Sequence, residues 1–127
     1  MELQIQKGIR QAEDDLVLWI QAALDTTQYG NLEESQFRNL VRVADTTDSA
    51  EVIKNFIRYQ VGRDKKWGRG KGSLAERIIQ DIDGNIKKNA QSIAESSQGE
   101  LKQVWLELIR RYLGYGSRHL KYLKDGK

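Results

Sequence analysis

The sequence predicts an all-α protein, a compact bundle of five to six helices, and three observations predict it. Apolar residues recur at three- and four-residue spacing along nearly the whole chain, β-branched runs of period two are missing, and proline is absent from the 127 residues. A hydrophobic content of 39% fills one modest core and would starve two, so residues 1–127 are read as one helical domain.

The first helix is predicted over residues 2–25, with Leu3, Ile9, Ala12, Leu16, Trp19, Ile20, Ala23 and Leu24 on one stripe, ending in the turn-rich "DTTQYGN". The second, 31–46, opens on Asn31 with Glu34 three residues on and buries Phe37, Leu40, Val41 and Ala44. Asp48 with Glu51 repeats the capping pattern and opens a third helix, 48–62, that carries Val52, Ile53, Phe56 and Ile57. Ser73 with Glu76 starts the fourth, 73–96, whose isoleucines keep helical phase past a weakening Gly84. Ser97 with Glu100 starts the fifth, 98–114, with Leu101, Val104, Trp105, Leu108, Ile109 and Tyr112 inward. "LGYGS" then breaks or kinks the chain, leaving a basic tail, 115–127, able to add a short helix.

Several chemistries are excluded by composition. Without cysteine there is no disulfide framework, zinc–thiolate site or cysteine nucleophile. The single histidine, His119, has no second histidine with which to share a metal, and no cofactor is expected. Carboxylate pairs such as Asp14 with Asp15 fall on faces or first turns where acids aid solubility or helix starts, so no enzymatic role is expected. No signal segment and no membrane-length apolar run is evident, which predicts a cytoplasmic protein.

The net charge of +3 conceals a segregation. Residues 1–61 carry net −4 and residues 73–109 net −2, whereas residues 62–72 carry +4 and residues 110–127 carry +5. Cations at helix C-termini answer the helix dipole, which accounts for Arg63, Arg110 and Arg111 without a ligand. Lys65, Lys66, Arg69 and Lys71 lie beyond that helix end and just ahead of the next N-terminus, where cations are repelled and phosphate is attracted. With Trp67 as an aromatic face and glycines that let the main chain approach, "VGRDKKWGRGKG" is read as a flexible basic loop suited to a phosphodiester backbone. The structural alternative is a solvated loop with Trp67 folded onto the core. It is not a Walker A loop: "GKGS" puts a glycine between lysine and serine, Lys65 stands where the first glycine belongs, and a helix precedes it.

Three strings, "ESQFRNLVRVA" (34–44), "FIRYQVGRD" (56–64) and "ELIRRYLGYG" (107–116), resemble in order and approximate spacing the small helical subunit of type III CRISPR effector complexes, the Csm-type in particular. Ser35, Gln36, Arg38, Asn39 and Leu40 match a T-S-Q-[IL]-R-N-[LI] pattern, Tyr59, Gly62 and Arg63 match Y-x-x-G-R, and Tyr112 with Tyr115 match a tyrosine-rich C-terminal helix. Glu34 replaces the usual threonine, and Leu113 and Gly114 replace a His-Lys pair.

The resemblance implies a non-catalytic subunit, stacked head to tail with further copies inside a ribonucleoprotein involved in antiviral defence. Such a subunit lines the groove holding guide RNA and target RNA and touches the other effector subunits. The expected RNA contacts are Arg38, Arg42, Arg63, Lys65, Lys66, Trp67, Arg69, Lys71, Arg118 and Lys121. Two rivals stand beside it: a stand-alone helical nucleic-acid-binding protein, and a protein-interaction subunit whose basic loop meets an acidic partner.

Overall fold

The computed structural model describes residues 2–126. Their helices are α1 (Leu3–Thr26), α2 (Glu34–Thr46), α3 (Ala50–Arg63), α4 (Leu74–Asp81), α5 (Lys87–Ser97) and α6 (Leu101–Asp125). A π turn, Ile82–Ile86, carries α4 directly into α5, so the described residues form five rods, as predicted, and no sheet.

Pairs of contacts fix the direction of each rod. Glu13 with Arg111 and Asp25 with His119 set α1 and α6 side by side and parallel. Gly8 against Ile93 and Gly99 against Ile5 run α5 opposite to α1, while Glu34 near Lys121 and Ala44 near Arg110 run α2 opposite to α6. One end of the bundle therefore collects the C-terminal ends of α1, α3 and α6, the N-terminal ends of α2 and α4, and the connections 27–33 and 64–73. We call it the loop end.

The predicted stripes become the core. Leu16 and Ile20 of α1, Phe37 and Leu40 of α2, Ile53 and Ile57 of α3, Ile78 of α4 and Leu108, Ile109 and Tyr112 of α6 are buried, each side chain contributing about 1.5–3 kcal/mol through lost apolar hydration. Leu3 and Val52, expected inside, are exposed instead. Leu3 is the first residue of its helix, and Val52 lies on the outer face of α3, whose buried residues are Ala50, Ile53, Lys54, Ile57 and Gln60.

Three helix starts are corrected. Asn31 does not cap α2: Glu33 does, in a capping box with Gln36, whose Oε1 accepts the Glu33 N–H at 3.1 Å. Ser49, not Asp48, caps α3 by accepting the Val52 N–H at 3.3 Å. Glu100 precedes α6 without a side-chain cap bond, and Ser97 remains the last residue of α5, which closes through a left-handed Gln98 (φ 57°). Ser73 caps α4 as expected, accepting the Glu76 N–H at 3.2 Å.

The largest correction lies at "LGYGS", where no break occurs. The fifth predicted helix and the basic tail are one 25-residue rod. Glycine is there for approach rather than for bending: a Cβ at Gly116 would stand 2.7 Å from both Ile20 Cγ1 and Phe37 Cζ, so only glycine lets α6 lie this close to α1 and α2. Gly114, two residues earlier, would meet nothing within 4 Å.

Polar groups tie the rods together. Tyr112 donates to Asp81 Oδ2 at 2.7 Å, and Arg77 pairs with the other oxygen at 3.3 Å. Burial, reinforced by the Asp81 charge and hydrogen bond and opposed by Arg77, holds the Tyr112 phenol well above its ordinary value of 10.0. Lys54 spans from α3 to Asp83 on the π turn at 2.9 Å and to Glu51 at 2.7 Å. Burial disfavours its charged ammonium, but the two carboxylates outweigh that and hold its pKa above the usual lysine range. Trp105 donates to the Ile82 carbonyl at 2.8 Å, pinning α6 on the same turn.

Two predictions follow from this packing. Gly116→Ala is expected to destabilise the fold by about 1–3 kcal/mol, and Gly114→Ala to stabilise it by about 0.5–1 kcal/mol, as read by denaturant unfolding. Because the raised Tyr112 phenol stays protonated when folded and ionises when unfolded, its stabilisation is complete below 10.0 and lost as pH climbs above it. Unfolding midpoints followed from about pH 9 to about pH 11 should fall less steeply in Tyr112→Phe than in the parent.

Candidate functional site

The loop expected to be flexible is built into the loop end. The Gln28 N–H donates to the Gly72 carbonyl at 2.9 Å, the Leu74 N–H to the Gln28 carbonyl at 3.1 Å, and the Gly30 N–H to the Lys66 carbonyl at 3.0 Å. Gly68, Gly70 and Gly72 adopt φ of 78°, 75° and 85°, a region that favours glycine, and a Cβ on Gly68 would sit 2.3 Å from the Gln28 carbonyl oxygen. Asp64 Oδ1 accepts the Lys66 N–H at 2.8 Å and turns the chain out of α3. The glycines thus shape one fixed path.

Trp67 is the clearest departure from the expected contacts. Its side chain is fully buried, stacked on Phe37 with ring centroids 5.5 Å apart, and offers no face to a base. The folded-back alternative is the one realised. The indole Nε1–H has no hydrogen-bond partner among the described residues, a cost of about 1–3 kcal/mol that burial of so large a ring outweighs.

The expected cations divide by what they touch. Arg69 donates to the Val61 carbonyl at 3.0 Å and closes the C-terminal end of α3. Arg42 donates to Asn39 Oδ1 at 2.9 Å, one turn further from the loop end than Arg38. Arg38 and Lys121 converge from α2 and α6 on Glu34, at 3.6 and 3.9 Å. Lys121 also binds Asp125 at 2.6 Å; this hydrogen bond and charge, with Glu34, hold its ammonium above the usual lysine range against the opposing Arg38. Arg118 lies 5.9 Å from the Tyr115 ring centroid. The side chains of Arg63, Lys65, Lys66 and Lys71 have no acidic partner among the described residues, and Arg63, Lys65 and Lys71 are exposed.

The two basic segments, far apart in sequence, meet in space. Lys66 is tied through Gly30 to the 27–33 connection, and Asn31 of that connection accepts from Lys124 of α6 at 3.0 Å. A basic band therefore runs from the loop past Lys124 and Lys121 to Arg38. Sequence reasoning missed Lys124 as a member, although it lies in the basic tail. It also missed Gln28 and Tyr29, which with Lys65, Gly68 and Arg69 line a concavity of about 350 Å³. Neither residue carries a sequence signal for that position.

A second concavity, about 550 Å³, lies between α1 and α6 and is lined by Val17, Gln21, Tyr115, Arg118, His119 and Tyr122. His119 Nε2 is 2.8 Å from Asp25 Oδ1. Among the described residues, no group of three or more histidines or acids is placed to hold a metal ion, and no helix is long and apolar enough to cross a membrane.

The chain is thus a small helical bundle with one basic end. No family model matches it, and neither curated proteins nor solved structures give a match.

Trp67→Ala is expected to cost about 3–5 kcal/mol of stability, as for other buried large aromatics, and Trp67→Phe far less, because Phe retains a ring against Phe37 and removes the unpartnered N–H. Thermal and denaturant unfolding of the two variants check this.

Proposed function

We propose that the protein is a non-enzymatic RNA-binding module that grips the phosphate backbone with its loop end. The observation that carries this reading is the convergence of the 62–72 loop and the last turns of α6 onto one end, with Arg63, Lys65, Lys66 and Lys71 left without acidic partners among the described residues. Phosphate recognition needs additive cationic contacts on a path of fixed spacing, and a loop held by main-chain hydrogen bonds supplies them at low ordering cost.

A narrower reading gives the RNA an identity. In it the chain is the small subunit of a type III CRISPR effector complex, stacked with its copies along guide RNA paired with target RNA. Its support is the resemblance of the three strings. Of the matching residues, Arg38, Tyr59 and Arg63 stand exposed, Arg38 paired with Glu34, whereas Gln36, Leu40 and Tyr112 serve the cap and the core. Copurification of the tagged chain with repeat-derived RNAs and larger protein subunits is the outcome this reading expects. Their absence removes it without touching the phosphate-binding proposal.

The direct test changes Lys65, Lys66 and Lys71 together to alanine and keeps Arg69, which closes α3. Affinity for single-stranded RNA and for an RNA duplex should both fall, and the slope of log affinity against log salt should shrink by about 2–3. Unchanged affinity and slope in a folded variant refute the proposal. Binding to polyglutamate with no binding to RNA would favour an acidic protein partner instead.

A further inference from the structure

We infer that the groove between α1 and α6 seats one unpaired nucleotide of a bound RNA strand, its base against Tyr122 and its phosphate at Arg118. The inference rests on the phosphate-binding proposal and adds what the buried Trp67 cannot supply, an accessible aromatic surface beside the cations.

The groove has the size and the mixed lining of a small-ligand site, which commonly spans about 300–1,000 Å³ with apolar walls and a few polar groups. Tyr122 lines the groove and is 53% exposed, so its side chain is accessible to a planar ligand. The His119 ring stands 5.9 Å from it, tilted by 30°, and supports it from one side. Arg118 touches the Tyr115 ring and has no acidic partner among the described residues, which leaves its N–H donors for an anion.

Asp25 orders the remaining polar chemistry. A carboxylate only accepts, so its 2.8 Å contact makes Nε2 of His119 the donor, and in the neutral ring Nδ1 is then an acceptor. Gln21 adds an amide with both a donor and an acceptor. An aromatic face, a guanidinium without an acidic partner among the described residues and a few hydrogen-bonding groups match a nucleotide better than they match an acidic peptide, which offers no ring. An aromatic or lipid ligand alone would leave Arg118 unpaired. The groove also leads toward the loop end: it follows α1 through Val17 and Gln21 toward Asp25, and α6 from Tyr115 to Tyr122, where Lys121 is the adjacent residue along the chain and Lys124 is turned to Asn31 of the 27–33 connection. A strand lying on that band could turn one base into it.

The test measures binding of the full chain to oligoadenylate, to an abasic strand of equal length and to an RNA duplex, at one salt concentration. Tyr122→Ala with Arg118→Ala should weaken oligoadenylate binding on the order of ten-fold or more, and Tyr122→Ala alone, which keeps every cation, should leave the duplex within about two-fold and abolish the preference for oligoadenylate over the abasic strand. Tyr122→Trp, with Arg118 intact, should retain that preference. The inference is overturned if the folded double variant binds oligoadenylate as tightly as the parent, or if the parent binds the abasic strand equally well. Loss of polyglutamate binding in the same double variant, to the same degree, would also overturn it and assign the groove to an acidic protein segment. The lysine variant of the loop separates the two proposals: if it weakens oligoadenylate and duplex alike while the groove variant changes neither, phosphate binding stands and the groove inference falls.

Discussion

The contact on which the rest depends is the seat of Phe37. Its ring lies against the backbone of Gly116 on one side and stacks on Trp67 on the other. The first contact lets α6 run close and unbroken past α2, and so carries Lys121 and Lys124 to the loop end. The second clamps the 64–73 connection to the same end. That ring is the hydrophobic anchor the two basic segments share, beside the hydrogen bonds that tie each of them to the 27–33 connection. A side chain that touches no ligand thereby sets where the charge is displayed, through packing that becomes electrostatics.

The loop shows how glycine can serve order. Three residues with φ near 80° look like freedom in a sequence, yet each supplies a left-handed turn that other residues rarely adopt, and Gly68 also lets the chain pass close to Gln28. Glycine raises the entropy of the unfolded chain, so this order comes at a cost, offset here by main-chain hydrogen bonds and by the burial of Trp67. The functional return is preorganisation: lysines on a fixed arc lose less freedom when they meet phosphate than lysines on a mobile finger.

Much of the helical plan was legible in the sequence because burial follows the 3.6-residue period, and Leu16, Ile20, Phe37, Ile57 and Ile109 all fell inside where their spacing placed them. The misreadings cluster where local and tertiary signals compete. Asn31, Asp48 and Ser97 are plausible caps, but neighbouring Glu33, Ser49 and Glu100 occupy those positions, since capping preferences differ by small energies that packing overrides. Gly114 and Gly116 read alike as breakers; only the position of Ile20 and Phe37 in space distinguishes them. Trp67 lies in a cationic stretch, and its partner Phe37 is 30 residues away, so its burial had no local signature. For the candidate site, the charge segregation was legible, while the meeting of its two halves required the direction of α6.

Three helix C-termini at one end supply a structural reason for cations there, and some of the cations answer it. Arg69 closes α3, Lys121 binds Asp125, Lys124 binds Asn31, and at the opposite end Arg110 donates to the Ala44 and Thr47 carbonyls at 2.8 Å each and closes α2. Structural demand therefore accounts for part of the charge and leaves a remainder. Arg63, Lys65, Lys66 and Lys71 satisfy no carboxylate among the described residues, and gathering like charges at one end is unfavourable in the isolated chain. That arrangement becomes favourable when a polyanion neutralises it. The unpaired remainder, rather than the total charge, is the physical basis for reading the loop end as an interface.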